Sequence, residues 1–163
     1  MLELIRLDGP LLDALADDPG AAFRGPWSNG DIAGQYLPQI AAQTRALYER
    51  TEPELPWIGY LARRSEDQAL VGTCAFATQP SEDEPEAEIA YYTFPQYEGV
   101  GIGTAMAASL IGIARGGDLD SVTAKTLPQE NASTRILRRL GFDFEGPDED
   151  EEDGEIWRWR LTL

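Results

Sequence analysis

The chain contains no histidine and a single cysteine, Cys74. Without those ligands a conventional zinc site is excluded, and a Ser-His-Asp triad lacks its base. One cysteine also rules out an intrachain disulfide. Cys74 stands in the apolar run VGTCAFA and is expected to be an inert core thiol. Positive charge is scarce: 13 Lys and Arg face 29 Asp and Glu, a net charge of -16. Nucleic-acid binding needs a basic surface, and so does docking on an anionic membrane, so the composition argues against both. The same excess favours solubility and attracts cationic ligands. No apolar run reaches the length of a membrane span. The start, MLELIRLDGP, lacks the basic-then-apolar pattern of a secretion signal, so the expected location is cytoplasmic. There is no internal repeat and no long linker, and the 163 residues are expected to form one domain over 1–163 with a sizeable core.

What is present is arranged around Glu86 to Arg115, EAEIAYYTFPQYEGVGIGTAMAASLIGIAR. Glu86, Glu88, Ala90 and Tyr92 alternate with Ala87, Ile89 and Tyr91, the period of a strand. Pro95 stops it. Gly99, Gly101 and Gly103 follow at alternate positions, and from Ile102 the apolar residues Met106, Leu110 and Ile113 take helical spacing. A helix N-terminus offers free N–H groups and about half a positive charge, and glycines before it let an anion approach. A pyrophosphate cradle and a plain tight turn are both open on the glycines alone. A Walker loop is excluded, because the loop has no Gly-Lys-Ser/Thr. The dinucleotide fingerprint is excluded by the glycine spacing.

The hexapeptide Glu98-Gly99-Val100-Gly101-Ile102-Gly103 resembles the coenzyme A loop of the GNAT superfamily of N-acetyltransferases, Gln/Arg-x-x-Gly-x-Gly/Ala. Both glycines match, while Glu98 stands for Gln or Arg and Val100 where a basic residue is frequent. A second stretch, TLPQENASTRILRRLGF from Thr126 to Phe142, resembles the Asn-Ala-Ser-x-Arg-Val/Ile-Leu-x-Lys/Arg-x-Gly-Phe segment of the branch similar to the ribosomal-protein acetyltransferases RimJ and RimL. Asn131, Ser133, Arg135, Leu137, Arg139, Gly141 and Phe142 take the matching positions, and Glu88-Ile89-Ala90-Tyr91 is similar to that branch's Glu-Ile-Gly-Tyr. The resemblance is specific from Trp57 to Glu145 and general before it. It implies an α/β fold: a central mixed, mostly antiparallel sheet of about seven strands flanked by roughly four helices, with a V-shaped cleft beside Glu86–Thr93.

The rest of the chain reads in order as a strand at Leu2–Leu7, a short helix marked by Leu11, Leu12 and Leu15, and a loop at Asp17–Asn29. Asp31 can cap a helical region that Pro38 is expected to kink or divide. Two strands, Trp57–Arg64 and Leu70–Thr78, precede the central one, and Ser121–Thr126 makes a short strand after it. Asn131–Leu140 forms a helix, and Phe142–Glu145 with Glu155–Leu163 a last hairpin around an acidic loop, Asp148–Asp153. In enzymes similar to this one the first helices wall the acceptor pocket, which makes Trp27, Tyr36 and Tyr48 candidate lining residues, with core packing the commoner role.

The resemblance implies acetyl-CoA as co-substrate and an amine as acceptor. The pyrophosphate is expected on Glu98, Gly99, Val100, Gly101, Ile102, Gly103 and Thr104. The pantetheine arm is expected to pair as an added strand with the backbone of Tyr92, Thr93 and Phe94, and an N–H near Thr93 can serve the oxyanion. Asn131 is expected to contact the cofactor or fix the cleft, a role compatible with capping. For the base, Glu88 is the first choice, because a carboxylate in an apolar cleft has a raised pKa; Glu86, on the same strand face, is the second. Many members carry a Tyr acid at the position of Leu137; Tyr91, Tyr92 and Tyr97 remain as substitutes. No side-chain nucleophile is evident, so direct attack in a ternary complex is expected. The acceptor is a small-molecule amine or a protein N-terminus, with no nucleic acid, membrane or metal involved, and a homodimer is left open. The alternative is a catalytically lapsed coenzyme A-binding or regulatory module of the same fold.

Overall fold

Strands with apolar residues on alternate positions need cover on one face, and strands apolar throughout need it on both. The computed structural model describes residues 1–17 and 30–163, with residues 30 and 31 described for their backbone only. Trp27, the loop expected up to Asn29 and the capping role of Asp31 lie outside the described residues. Seven strands form one sheet in the order β1-β2-β3-β4-β5-β7-β6. They are β1 (Leu2–Arg6), β2 (Gly59–Arg64), β3 (Leu70–Phe76), β4 (Glu86–Thr93), β5 (Ser121–Thr126), β6 (Asp143–Asp150) and β7 (Gly154–Thr162). Every neighbouring pair is antiparallel except β4 with β5. Four helices flank it among the described residues: α1 (Gly9–Asp17), α2 (Gly30–Thr51), α3 (Ile102–Arg115) and α4 (Ala132–Arg139). The fold is the one the resemblance implies.

The two sheet faces carry two cores. Met106, Ala107, Leu110 and Ala114 of α3 pack on Ala62, Val71, Ala87, Ile89 and Val122. On the other face α1 and α2 bring Leu12, Leu15, Leu37 and Ile40 against Leu7, Leu61, Leu70 and Phe94. Tyr48 ties α2 to the sheet, its hydroxyl donating to Leu7 O at 2.8 Å and accepting from Gly59 N–H at 2.7 Å. Each of these contacts removes apolar surface from water at about 25 cal/mol per Å².

Two expectations are corrected. Pro38 does not divide α2, which runs through it as one helix. The ring is on the exposed side, its missing N–H costs one bond there, and residue i−4 is Gly34. Buried Leu37, Ile40 and Ala41 hold both halves to the core. The acidic run is not one loop: Asp148, Glu149 and Asp150 extend β6 and pair with Ile156, Glu155 and Gly154, which leaves only Glu151–Asp153 as the turn.

Candidate active site

The glycine segment builds an anion cradle. Gly101 is the N-cap of α3 with φ +86°, a conformation that disfavours any residue with a Cβ, and no side chain caps the helix. Ala105 N–H is already bonded to Gly101 O, so the N–H groups of the first turn before it have no intrahelical acceptor. A cavity of about 680 Å³ opens there, lined by the loop, by Tyr91–Thr93 of β4 and by Ala132, Ser133, Arg135, Ile136 and Arg139 of α4. Arg135 and Arg139, one helical turn apart, form no salt bridge among the described residues.

The sheet splits beside this cavity. β4 pairs with β5 only from Glu86 to Glu88, opposite Ser121 to Thr123. Beyond that point β4 stays on β3 and β5 on β7, and the seam opens as a V. Backbone groups of successive strand residues turn to opposite neighbours. Glu88 O accepts from Ala77 N–H and Phe94 N–H donates to Val71 O, both on the β3 side. The even-numbered residues therefore serve β3, and the N–H and C=O of Ile89, Tyr91 and Thr93 face the open seam.

On the other side of the seam a cavity of about 790 Å³ is lined by Glu88, Ile89 and Ala90 of β4, by Lys125–Leu127, by Arg158 and by the acidic turn. A smaller apolar one of about 220 Å³ shares Leu47 and Ala90 with it, and Tyr91 and Tyr92 with the cradle cavity. The two sides of the V are thus joined along β4.

The two candidate bases differ sharply. Glu86 is gripped by Arg160, which also bonds Ser121 and Glu145. Glu88 has a side chain only 14% exposed, and its carboxylate accepts no hydrogen bond among the described residues. Arg158 Nη1 is 3.7 Å from one oxygen and Lys125 Nζ 4.0 Å from the other. Both cations make closer contacts with the hairpin: Arg158 Nε to Asp148 at 2.7 Å, Lys125 Nζ to Asp150 and Asp153 at 3.0 Å. Burial raises the Glu88 pKa, and the pull of Lys125 and Arg158 in the opposite direction does not cancel it.

A family model described as an acetyltransferase (GNAT) domain matches residues 6–143. The chain belongs to the GNAT acetyltransferase family. No curated protein matches the chain in sequence. Among solved structures, this GNAT domain is similar to RimL, a ribosomal L7/L12 alpha-N-protein acetyltransferase in complex with coenzyme A. The TM-score is 0.66 and the identity 19%, over 99% of this chain and 94% of that one. It is also similar to yncA from Salmonella typhimurium, solved with its cofactor acetyl-CoA, at TM-score 0.63 and 18% identity over 99% and 94% of the two chains. A spermidine N-acetyltransferase SpeG chimera from Vibrio cholerae aligns at TM-score 0.66 and 12% identity over 99% and 94%. At these identities the structural likeness speaks to fold, while the family rests on the domain match.

Within the GNAT domain, Tyr92, Thr93, Glu98, Gly99, Gly101, Ile102, Gly103 and Thr104 line the cradle cavity. Three expected cofactor residues do not. Phe94 is fully buried, stacked on Tyr36 with ring centroids 4.6 Å apart, and its N–H is spent on β3. Val100 is 67% exposed and stands outside the lining. The Asn131 side chain accepts from Thr134 N–H in a capping box, so it orders the start of α4. Tyr36 and Tyr48 are held in structural contacts. Leu137, where a Tyr acid is frequent, is a buried core residue. Tyr91 instead brings a buried hydroxyl to the lining beside Ser133, without a well-formed hydrogen bond, and burial pushes its pKa up to about 12.

Sequence reasoning missed Arg135 and Arg139 as site residues. Their i, i+4 spacing on a capped helix was the available signal. Lys125 and Arg158 carried none, because their closeness to Glu88 arises only across the sheet.

Proposed function

We propose that the chain is one GNAT domain over residues 1–163, an acetyl-CoA-dependent N-acetyltransferase that works in the cytoplasm on a cationic primary amine. The observation that carries this reading is Glu88: a largely buried carboxylate that accepts no hydrogen bond among the described residues, at the open seam, on the side away from the glycine cradle. The residues fit the cofactor. Free N–H groups of Ile102–Thr104 and the arginines Arg135 and Arg139 suit a pyrophosphate. The seam-facing backbone of Tyr91 and Thr93 suits the amides of a pantetheine arm. When bound, acetyl-CoA supplies an activated acetyl thioester.

Glu88 takes the proton of the acceptor ammonium, directly or through water; its raised pKa makes it a stronger base than an ordinary carboxylate. A seam-facing N–H of β4 stabilises developing negative charge. Tyr91, whose hydroxyl stays protonated, is the candidate hydrogen-bond donor to the leaving sulfur. Direct attack in a ternary complex brings acceptor and cofactor together in the seam; the one thiol, Cys74, is buried with its pKa pushed up to about 12 and is unsuited to carry the acetyl group. The end of β6 offers Glu149, and the turn Glu151 and Glu152, to a cationic acceptor, since Asp148, Asp150 and Asp153 are engaged by Arg158 and Lys125.

Titration calorimetry with acetyl-CoA, followed by a transfer assay across a panel of polyamines, amino acids and peptide N-termini, tests the reading. Binding and transfer to a cationic amine are expected. No binding at millimolar cofactor sinks the enzyme. Binding without transfer to any amine favours the lapsed module, a reading that the buried Leu137 and the acidic Glu98 at the loop support.

A further inference from the structure

The chain has a single lysine, and it sits beside the candidate base. Lys125 projects from β5 between two sets of carboxylates. On one side is Glu88, with Nζ to Oε1 at 4.0 Å; on the other are Asp150 at 3.0 Å and Asp153 at 3.0 Å. The shorter contacts go to the hairpin, and they hold the ammonium back from Glu88. Arg158 repeats the arrangement with Asp148, at 2.7 Å against 3.7 Å. Asp150 is itself fixed, accepting the N–H groups of Glu152 and Asp153 at 2.9 and 3.0 Å, and its pKa falls to about 2. Burial works against the Lys125 charge, but its hydrogen bonds to Asp150 and Asp153 outweigh that and keep the ammonium protonated. The other charges around this cavity are Arg50 of α2 and Glu149, Glu151 and Glu152 at the rim.

We propose that Lys125 is a positioning residue for acetyl transfer: clamped by Asp150 and Asp153, it steadies the Glu88 carboxylate without hydrogen-bonding it, and so couples the hairpin tip to the base. The proposal rests on Glu88 being that base. A cation at contact distance with both Glu88 oxygens occupied would leave the carboxylate weakly basic and blocked. Without the cation, burial would push the titration of the carboxyl higher still. The hairpin acids keep the middle course.

The two halves of the clamp act on Glu88 with opposite signs. The Lys125 charge favours ionised Glu88, so Lys125→Met moves the Glu88 titration to higher pH. Asp150 disfavours it and restrains Lys125, so Asp150→Asn moves the titration to lower pH; the Asn carbonyl can still accept the two turn N–H groups. The experiment follows the Glu88 carboxyl carbon by NMR against pH in the free protein, assigned with Glu88→Gln, alongside pH profiles of kcat and kcat/KM for the best amine. On the rising limb, Lys125→Met is expected to be about tenfold slower than the parent. Asp150→Asn is expected to shift the limb down and lower its plateau severalfold, since a carboxylate bonded to Lys125 is a weaker base. Lys125→Arg should restore most of the parent profile. Opposite shifts in both readouts support the clamp. An unmoved Glu88 titration in both variants, each folded by circular dichroism, overturns it. If the carboxyl titration shifts while the rate profile stays, Glu88 is not the base and the role of Lys125 in the reaction falls with it.

Discussion

The two sides of the open seam handle charge in opposite ways. On the cradle side the binding groups are unpaired: among the described residues, the helix N–H donors before Ala105 and the side chains of Arg135 and Arg139 have no bonded partner. On the hairpin side most charges are already spent on one another, from Arg160 on Glu86 to Lys125 on Asp150 and Asp153. Glu88 lies within reach of two of these cations, yet its carboxylate accepts no hydrogen bond among the described residues. Unsatisfied donors bind an anion strongly because nothing has to be broken first. A balanced network does something else, fixing how basic one buried group is. The comparison teaches that a cofactor site and a reacting site can share a strand, β4, and use charge for different ends.

The sharpest break in this contrast is Glu88→Gln. Turnover should fall by about two to four orders of magnitude, the range of a lost general base, with acetyl-CoA affinity nearly unchanged by calorimetry. The pH profile of the parent should rise through a pKa above the ordinary carboxylate range, because protonated Glu88 cannot accept a proton and burial favours that form. Unaltered turnover across pH excludes Glu88. On the cradle side, Gly101→Val should cost about tenfold or more in acetyl-CoA affinity, since a branched residue at φ +86° is strained by roughly 1–2 kcal/mol. A Cβ at that position would meet nothing within 4 Å, so the strain lies in the backbone and in the lost approach to the loop. Turnover at saturating cofactor should survive; unchanged affinity makes the loop a plain turn.

Smaller effects sharpen the same line. Arg135→Ala with Arg139→Ala should weaken acetyl-CoA binding roughly tenfold at low salt and less at high salt, as exposed charges do, and leave the acceptor KM alone. A change in acceptor KM instead would put those arginines on the wrong side. Tyr91→Phe removes a buried hydroxyl without a partner, so the protein should melt higher, by about 1 kcal/mol of stability. Transfer should slow severalfold; an unaltered rate ends the case for Tyr91 as proton donor. The weakest effect is expected from Glu149, Glu151 and Glu152 changed together to Gln. The salt dependence of kcat/KM for a cationic amine should flatten by about two- to threefold. Replacing only paired Asp148 should alter Glu88 rather than this slope, and equal effects of the two would erase the distinction between free and spent carboxylates.

The sequence by itself determined the strand, loop and helix around Glu86–Arg115, because periodicity and the need for positive φ are local properties. It also determined α4 with its Asn131 cap and the family, through two motifs in order. The tertiary structure alone decided which of two acidic residues on one strand face is available. Glu86 meets Arg160, 74 residues away, and Lys125 meets Asp150, 25 residues away. Ion pairing across neighbouring strands depends on register, and register has no signature in the residues being paired. It decided likewise that the acidic run would split between strand and turn, and that Pro38 would be carried inside one helix. In both places packing and pairing with distant residues outweighed local preference.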